Sequence, residues 1–184
     1  MQANQRERIF LALESIMSAK GYADTSVADL IKEAGVSRQT FYELFTSKQD
    51  CFLASYGRRQ GAVVETILEV PPGGTTAMDR FAALLQSYLA VMAADPPLAR
   101  LYLIGVYTAG EEALAKRLEM QQQFVDGIVA VFAPTSEERR FACRALVSAI
   151  STLVTNALME DDPQAVLDLY DPLLHVARKL VGSD

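Results

Sequence analysis

The chain has 184 residues, of which 51% are hydrophobic, with ten glycines and seven prolines; that is enough apolar material for a core and too ordinary a composition for a low-complexity protein. Its net charge of -6 excludes a basic face running over the whole protein, but the charge is uneven: residues 1–60 hold eight Lys/Arg against seven Asp/Glu, and residues 61–184 hold nine against sixteen. Cys51 and Cys143 are too few and too far apart for a secreted disulfide framework, and the N-terminal "MQANQRERIF" lacks an apolar run of signal-peptide length, so the expectation is a cytoplasmic protein with reduced thiols.

Apolar residues recur at helical spacing almost throughout, which predicts an all-α chain: a three-helix head over residues 1–50 and a larger helical body over 51–184. Residues 6–20 place Ile9, Leu13, Ile16 and Met17 on one face and stop at Lys20-Gly21. Ser26 and Asp29 form a capping box that opens a helix carrying Val27, Leu30 and Ile31, ended by Gly35. Ser37 caps a short helix that reaches Leu44. Ser47 and Asp50 form a second box, opening a helix toward Leu68. The Pro71-Pro72-Gly73-Gly74 cluster is a break. Further helices are expected at 77–94, 98–108 and 111–132, from Thr135 (with Glu138) to Met159, and over 163–181, where Asp162 precedes a proline at the first helical position.

The stretch "AGVSRQTFYELFTSKQD", residues 34–50, carries the chemistry. A helix, a glycine turn at Gly35 and a second short helix make a helix-turn-helix, whose second helix enters the major groove with its first residues against base edges. Phe41 and Phe45 hold that short helix to its neighbours. Arg38 and Gln39 at its start suit bidentate contacts to guanine and adenine, and Thr40 suits a thymine methyl or a phosphate. Tyr42 points about 100° away from Phe41, toward the sugar-phosphate backbone. Ser26, Ser37 and Lys48 stand at helix starts, where amides and dipole favour phosphate. Taken singly, the serines read as caps and Lys48 as a solvated charge.

With those residues in this order, residues 6–56 resemble the tetracycline-repressor-like transcriptional regulators. The resemblance is carried by Gly21-Tyr22, Thr25-Ser26-Val27, Ala34-Gly35-Val36-Ser37, Tyr42, Phe45 and Lys48. It implies an all-helical homodimer with a divergent ligand-binding body, and repression relieved by a small molecule. Glu43 departs from the pattern, standing where a neutral or basic residue is usual, and it would repel phosphate or accept from a cytosine amine. Only Arg6 and Arg8 supply an N-terminal basic arm.

In the body, residues 141–159 have no acidic side chain but include Arg144, Ser148, Ser151, Thr152, Thr155 and Asn156, too polar for a membrane span of about 20 apolar residues. This helix is expected to be buried on most sides by protein. Ala145, Ser148, Ala149 and Thr152 let one side pack on the chain's own core and the other on a second copy. By resemblance, helices at about 136–159 and 163–181 form the homodimer interface. Candidate ligand contacts are Tyr88, Met92, Tyr102, Tyr107, Met120, Phe124 and Asn156, polar-tipped or adaptable residues within apolar helices. The ligand is then largely apolar.

An enzyme has no candidate residues: one histidine (His175), no HExxH, no GxGxxG and no Cys/His ligand cluster. Neither a metal nor a cofactor is implied. A helical interaction module would leave Arg38, Gln39, Thr40 and Tyr42 without a task. With what the resemblance implies, the expected function is that of a ligand-responsive repressor on a palindromic operator.

Overall fold

The computed structural model describes residues 2–69, 74–160 and 162–182, and among them every regular element is helical. In chain order these are α1 (Gln2–Lys20), α2 (Val27–Ala34), α3 (Arg38–Leu44), α4 (Lys48–Leu68), α5 (Ala77–Ala94), α6 (Pro96–Leu103), a 3-10 turn (Gly105–Thr108), α7 (Glu111–Phe132), α8 (Glu137–Met159), α9 (Pro163–Leu167) and α10 (Tyr170–Leu180). Most of the break expected around the paired prolines lies outside the described residues.

The caps explain where the helices start. Ser26 accepts from the Asp29 amide and Asp29 accepts back from the Ser26 amide, the reciprocal pair read from the sequence. Ser37 caps α3 by accepting from the Thr40 amide. The second box is only half formed. Ser47 accepts from the Asp50 amide, but the Asp50 carboxylate takes the amide and hydroxyl of Thr46 instead, two donors converging one residue earlier. Thr76 and Asp79 make a complete box before α5, and α8 is capped by Ser136, not Thr135.

Two later helices differ from expectation. The helix expected at 98–108 is α6 followed by the 3-10 turn, with Gly110 in the left-handed region (φ 97°) ahead of α7. The helix expected over 163–181 is two helices, separated at Asp168 and Leu169. Pro172 explains the break, because it has no amide to give the carbonyl four residues earlier, that of Asp168.

The chain packs as two compact units. One runs up to Gln60 and takes in Pro97–Arg117; the other comprises Gly61–Pro96 and Leu118 onward. The division expected at residue 50 thus falls instead after Gln60, within α4. The reason is burial: Cys51, Phe52 and Tyr56 are sealed in the same core as Ile9, Phe10 and Leu13 of α1, Leu30 of α2, and Phe41 and Phe45. Leu98, Leu101, Tyr102 and Val106 complete that core. In the second unit α5, α8, α9 and α10 pack on one another, and Phe81 and Tyr88 of α5 meet Phe132 and Phe124 of α7 at ring-centroid distances of 5.6 and 5.9 Å.

Helix α8 is long and apolar enough to cross a membrane by length and composition, yet only 33% of its most apolar window is buried within this chain. The expectation of burial on most sides is therefore not met by the chain alone. Phe141, Leu153 and Met159 of α8 and Val176 and Leu180 of α10 are exposed.

Candidate DNA-binding head

Helix α3 has seven residues, too few to be stable in isolation, and its aromatic residues hold it. Phe41 is fully buried and Phe45, its C-cap, is 2% exposed; their rings lie 5.7 Å apart, and Phe45 meets Phe10 of α1 at 5.6 Å. The preceding turn is set by Gly35, whose φ of 59° is strained for any residue with a Cβ. A Cβ there would also come within 2.7 Å of Arg8 Nη2, which donates to the Gly35 carbonyl at 2.9 Å.

With α3 held from behind, its polar residues face outward. Ser37, Arg38, Gln39, Tyr42 and Glu43 are exposed and Thr40 is half-buried. The Arg38 guanidinium lies over the Tyr42 ring, 5.5 Å from its centroid, so two of the expected DNA contacts are held in one orientation. Ser37 and Thr40 share a hydroxyl hydrogen bond of 2.9 Å. The Gln39 amide nitrogen donates to the Glu43 carboxylate at 2.8 Å, which leaves the Gln39 carbonyl oxygen to accept from a base amine.

Two other expected contacts have internal tasks. Lys48 donates to the carbonyls of Tyr22 and Thr25, both at 2.8 Å, and lies over the Tyr22 ring. Burial pushes its pKa down from the ordinary lysine value. It ties the start of α4 to the α1–α2 turn, with one of its three N–H groups left to meet a phosphate. Ser26 donates its hydroxyl to Asp29, which also receives Lys20 at 3.0 Å. The backbone and side chain of Ser26, then Lys20, hold the Asp29 carboxyl well below the usual carboxylate range. Of the two arm arginines, Arg6 lies over the Phe10 and Phe45 rings and Arg8 closes on Gly35.

Sequence reasoning missed a polar knot in the same unit. Tyr102 of α6 donates its hydroxyl to Glu14 of α1 at 3.1 Å and lies 2.7 Å from the hydroxyl of Ser55 on α4. Glu14 also receives Arg58 at 2.8 Å, and the same guanidinium reaches Glu7 at 3.0 Å. Burial pushes the Tyr102 pKa far above the ordinary tyrosine value, so it remains a donor. Gln49 of α4 donates to the Ala109 carbonyl at 2.8 Å. Glu14 and Arg58 read singly as surface charges, Ser55 and Gln49 as ordinary polar residues, and Tyr102 only as a candidate ligand contact, so no sequence signal joined them.

The expected ligand contacts separate. Tyr102 and Tyr107 belong to the first unit, the former buried in the knot and the latter 60% exposed. In the second unit Tyr88 and Phe124 touch, Met92 and Met120 are buried, and Asn156 is exposed on α8. Both cysteines are fully buried. Among the described residues no group of His, Cys, Asp and Glu is arranged to hold a metal ion.

Residues 9–55 match the family of bacterial regulatory proteins described as the tetR family. Over 177 residues, 92% of this chain and 91% of the relative, the chain is 23% identical to the fatty acid metabolism regulator protein of Bacillus subtilis. Its fold is similar to that of the transcriptional regulator FadR of Bacillus subtilis in complex with stearoyl-CoA, with a TM-score of 0.79, 20% identity and coverage of 97% of this chain and 99% of that one. A tetR transcription regulator from Haloarcula marismortui is similar at a TM-score of 0.82 and 22% identity, with coverage of 97% and 99%.

Proposed function

We infer that this chain, a member of the tetracycline-repressor-like transcriptional regulators, is a homodimeric cytoplasmic repressor that binds a palindromic operator and releases it on binding a largely apolar small molecule. The observation that carries the DNA reading is the outward first turn of α3, with Arg38 over Tyr42 and Gln39 beside them, on a helix held by Phe41 and Phe45. Arg38, Gln39 and Thr40 read bases; Tyr42, Ser37 and the remaining Lys48 proton position the phosphates, while Ser26, whose hydroxyl proton and amide both go to Asp29, contributes by capping α2.

Three observations support the rest. The exposed apolar side chains of α8 and α10 suit a second copy across helices at about 136–159 and 163–181. Operator half-sites one helical turn apart then match two heads. The ligand class follows from similarity to a fatty acid metabolism regulator and to a regulator bound to stearoyl-CoA: a long acyl chain, free or as its CoA thioester. Of the expected contacts, Tyr88, Met92, Met120, Phe124 and Asn156 share the second unit and remain candidates for contact with it. Ligand acts by favouring a tilt of α4 that misaligns the heads, and it need only bind that state better than the other.

Selection of bound DNA from a random pool, followed by titration of the best site with and without long-chain acyl-CoA, tests the proposal. A palindrome whose binding is weakened by ligand supports it. Enrichment of no site by a confirmed dimer would overturn it.

A further inference from the structure

Gln39 and Glu43 stand one turn apart on α3, both exposed, and the Gln39 amide nitrogen donates to the Glu43 carboxylate at 2.8 Å. Beside them Arg38 and Tyr42 form a second pair at the same spacing, with the guanidinium 5.5 Å from the ring centroid. Arg38 and Gln39, the two strongest candidates for base reading, are thus each braced by the residue one turn later. Residue type alone suggests two tasks for Glu43, repelling phosphate or accepting from cytosine. Its bond to Gln39 is a third.

A glutamine amide by itself is an ambiguous reader. Its C=O and NH2 ends have nearly the same shape, so a half-turn of the terminal group exchanges acceptor for donors. With the oxygen forward it suits adenine; with the nitrogen forward, its two N–H groups suit the O6 and N7 acceptors of guanine. A carboxylate only accepts, so Glu43 can hold the nitrogen end and never the oxygen end. One N–H is then taken, and Gln39 presents an oxygen and a single N–H. That pair matches the N6 donor and N7 acceptor on the major-groove edge of adenine. Guanine has two acceptors on that edge and would bring them against the Gln39 oxygen and the Glu43 charge. An exposed pair of this kind biases a free side chain by only about twofold. Its hold strengthens when DNA covers it and water is excluded, since hydrogen bonds to a charged group are about twice as strong as neutral ones.

We propose that Glu43 is a specificity-determining positioning residue, which acts through Gln39 to select adenine over guanine at one position of each operator half-site. This rests on the reading of α3 as the base-reading helix and adds to it the residue that sets one of its choices. The negative charge of Glu43 works against attraction to the phosphates. Glu43 therefore lowers affinity for every duplex while it sharpens selection at one base pair.

The test uses the full-length dimer and the operator selected by wild type, with each half-site position replaced in turn and binding measured by competition at fixed salt. The position whose base preference disappears in Gln39→Ala is expected to be adenine, preferred over guanine by about tenfold. Replacing that adenine by 7-deazaadenine, which removes only the N7 acceptor, should weaken wild-type binding by about threefold or more. Glu43→Ala should lower the adenine-over-guanine preference by about three- to tenfold while raising affinity for random duplex. Damage to α3 would instead lower both. In the Gln39→Ala background, Glu43→Ala should leave base preference unchanged. The inference is overturned if Gln39→Ala changes no position or one that is not adenine, or if 7-deazaadenine binds as adenine does. An unchanged preference in Glu43→Ala overturns it too, as does an equal loss in the Gln39→Ala background, which would make Glu43 a direct reader. All of these outcomes leave the DNA-binding reading standing. Enrichment of no site by the confirmed dimer overturns both.

Discussion

The Tyr102 hydroxyl donates to the Glu14 carboxylate at 3.1 Å across 88 residues of sequence, and Ser55 lies 2.7 Å from the same oxygen. Because a tyrosine has one hydroxyl proton and gives it to the carboxylate, Ser55 is the donor in the second bond. Removing that one oxygen leaves Glu14 with Arg58 alone and strands a buried serine hydroxyl. Tyr102→Phe should therefore destabilise the protein by about 1–3 kcal/mol, read as a lower urea midpoint at unchanged slope. If the knot also transmits the ligand signal to α1 and α4, operator release by acyl-CoA will weaken. An unchanged midpoint would show that the knot contributes nothing to stability.

Arg38 and Gln39 are exposed and support no core contact beyond the Arg38–Tyr42 stack. The double variant Arg38→Ala with Gln39→Ala should thus melt within about 0.5 kcal/mol of wild type. Its discrimination between the selected operator and random DNA should fall by about 1–3 kcal/mol per lost contact. Competition binding at fixed salt checks this; retained discrimination would move base reading to other residues.

Glu43 accepts from Gln39 at 2.8 Å and adds a negative charge to the surface proposed to meet DNA. Glu43→Gln should raise affinity for any duplex by about fivefold at low salt, the size of one Coulomb pair in water at contact-scale distances. The gain should shrink as salt rises. If Glu43 accepts from a cytosine amine instead, the same substitution weakens the specific site while strengthening random DNA.

The exposed apolar residues Leu153 on α8 and Val176 on α10 are 41% and 40% accessible in a single chain. Charging both, Leu153→Glu with Val176→Glu, should yield a helical monomer by light scattering that no longer binds a two-half-site operator tightly. A variant that stays dimeric would place the interface elsewhere.

Burial raises both thiol pKa values, that of Cys51 to about 12. Neither cysteine should react with a disulfide reagent at pH 8 in the folded protein, and both should react in denaturant. The thiolate is accessible only to the unfolded chain. The stability held by the neutral Cys51 thiol is therefore complete below the ordinary cysteine pKa and declines as pH rises from there toward about 12. Rapid labelling of native protein would contradict the burial of both thiols.

The local parts of this protein were legible in its sequence because they depend on neighbours in the chain. The Ser26–Asp29 box, the Ser37 cap and the left-handed Gly35 each rest on contacts within a few residues. The burial of Phe41 and Phe45 beside the exposed Tyr42 follows from the 3.6-residue period. Competing local signals were harder to weigh. Thr46 outbid Ser47 for the Asp50 carboxylate, Ser136 displaced Thr135 as a cap, and Pro172 divided the last helix.

The sequence by itself determined the helical class, the helix-turn-helix and the outward residues of its second helix, since periodicity and caps are encoded over distances shorter than a helix. Tertiary structure alone decided that Pro97–Arg117 packs with the head, that Lys48 is held by the Tyr22 and Thr25 carbonyls, and that Glu14, Ser55, Arg58 and Tyr102 meet. Those pairings join residues 23 to 88 positions apart. A side chain that reads alone as a solvated charge gains its role only when packing removes its water and supplies a specific partner.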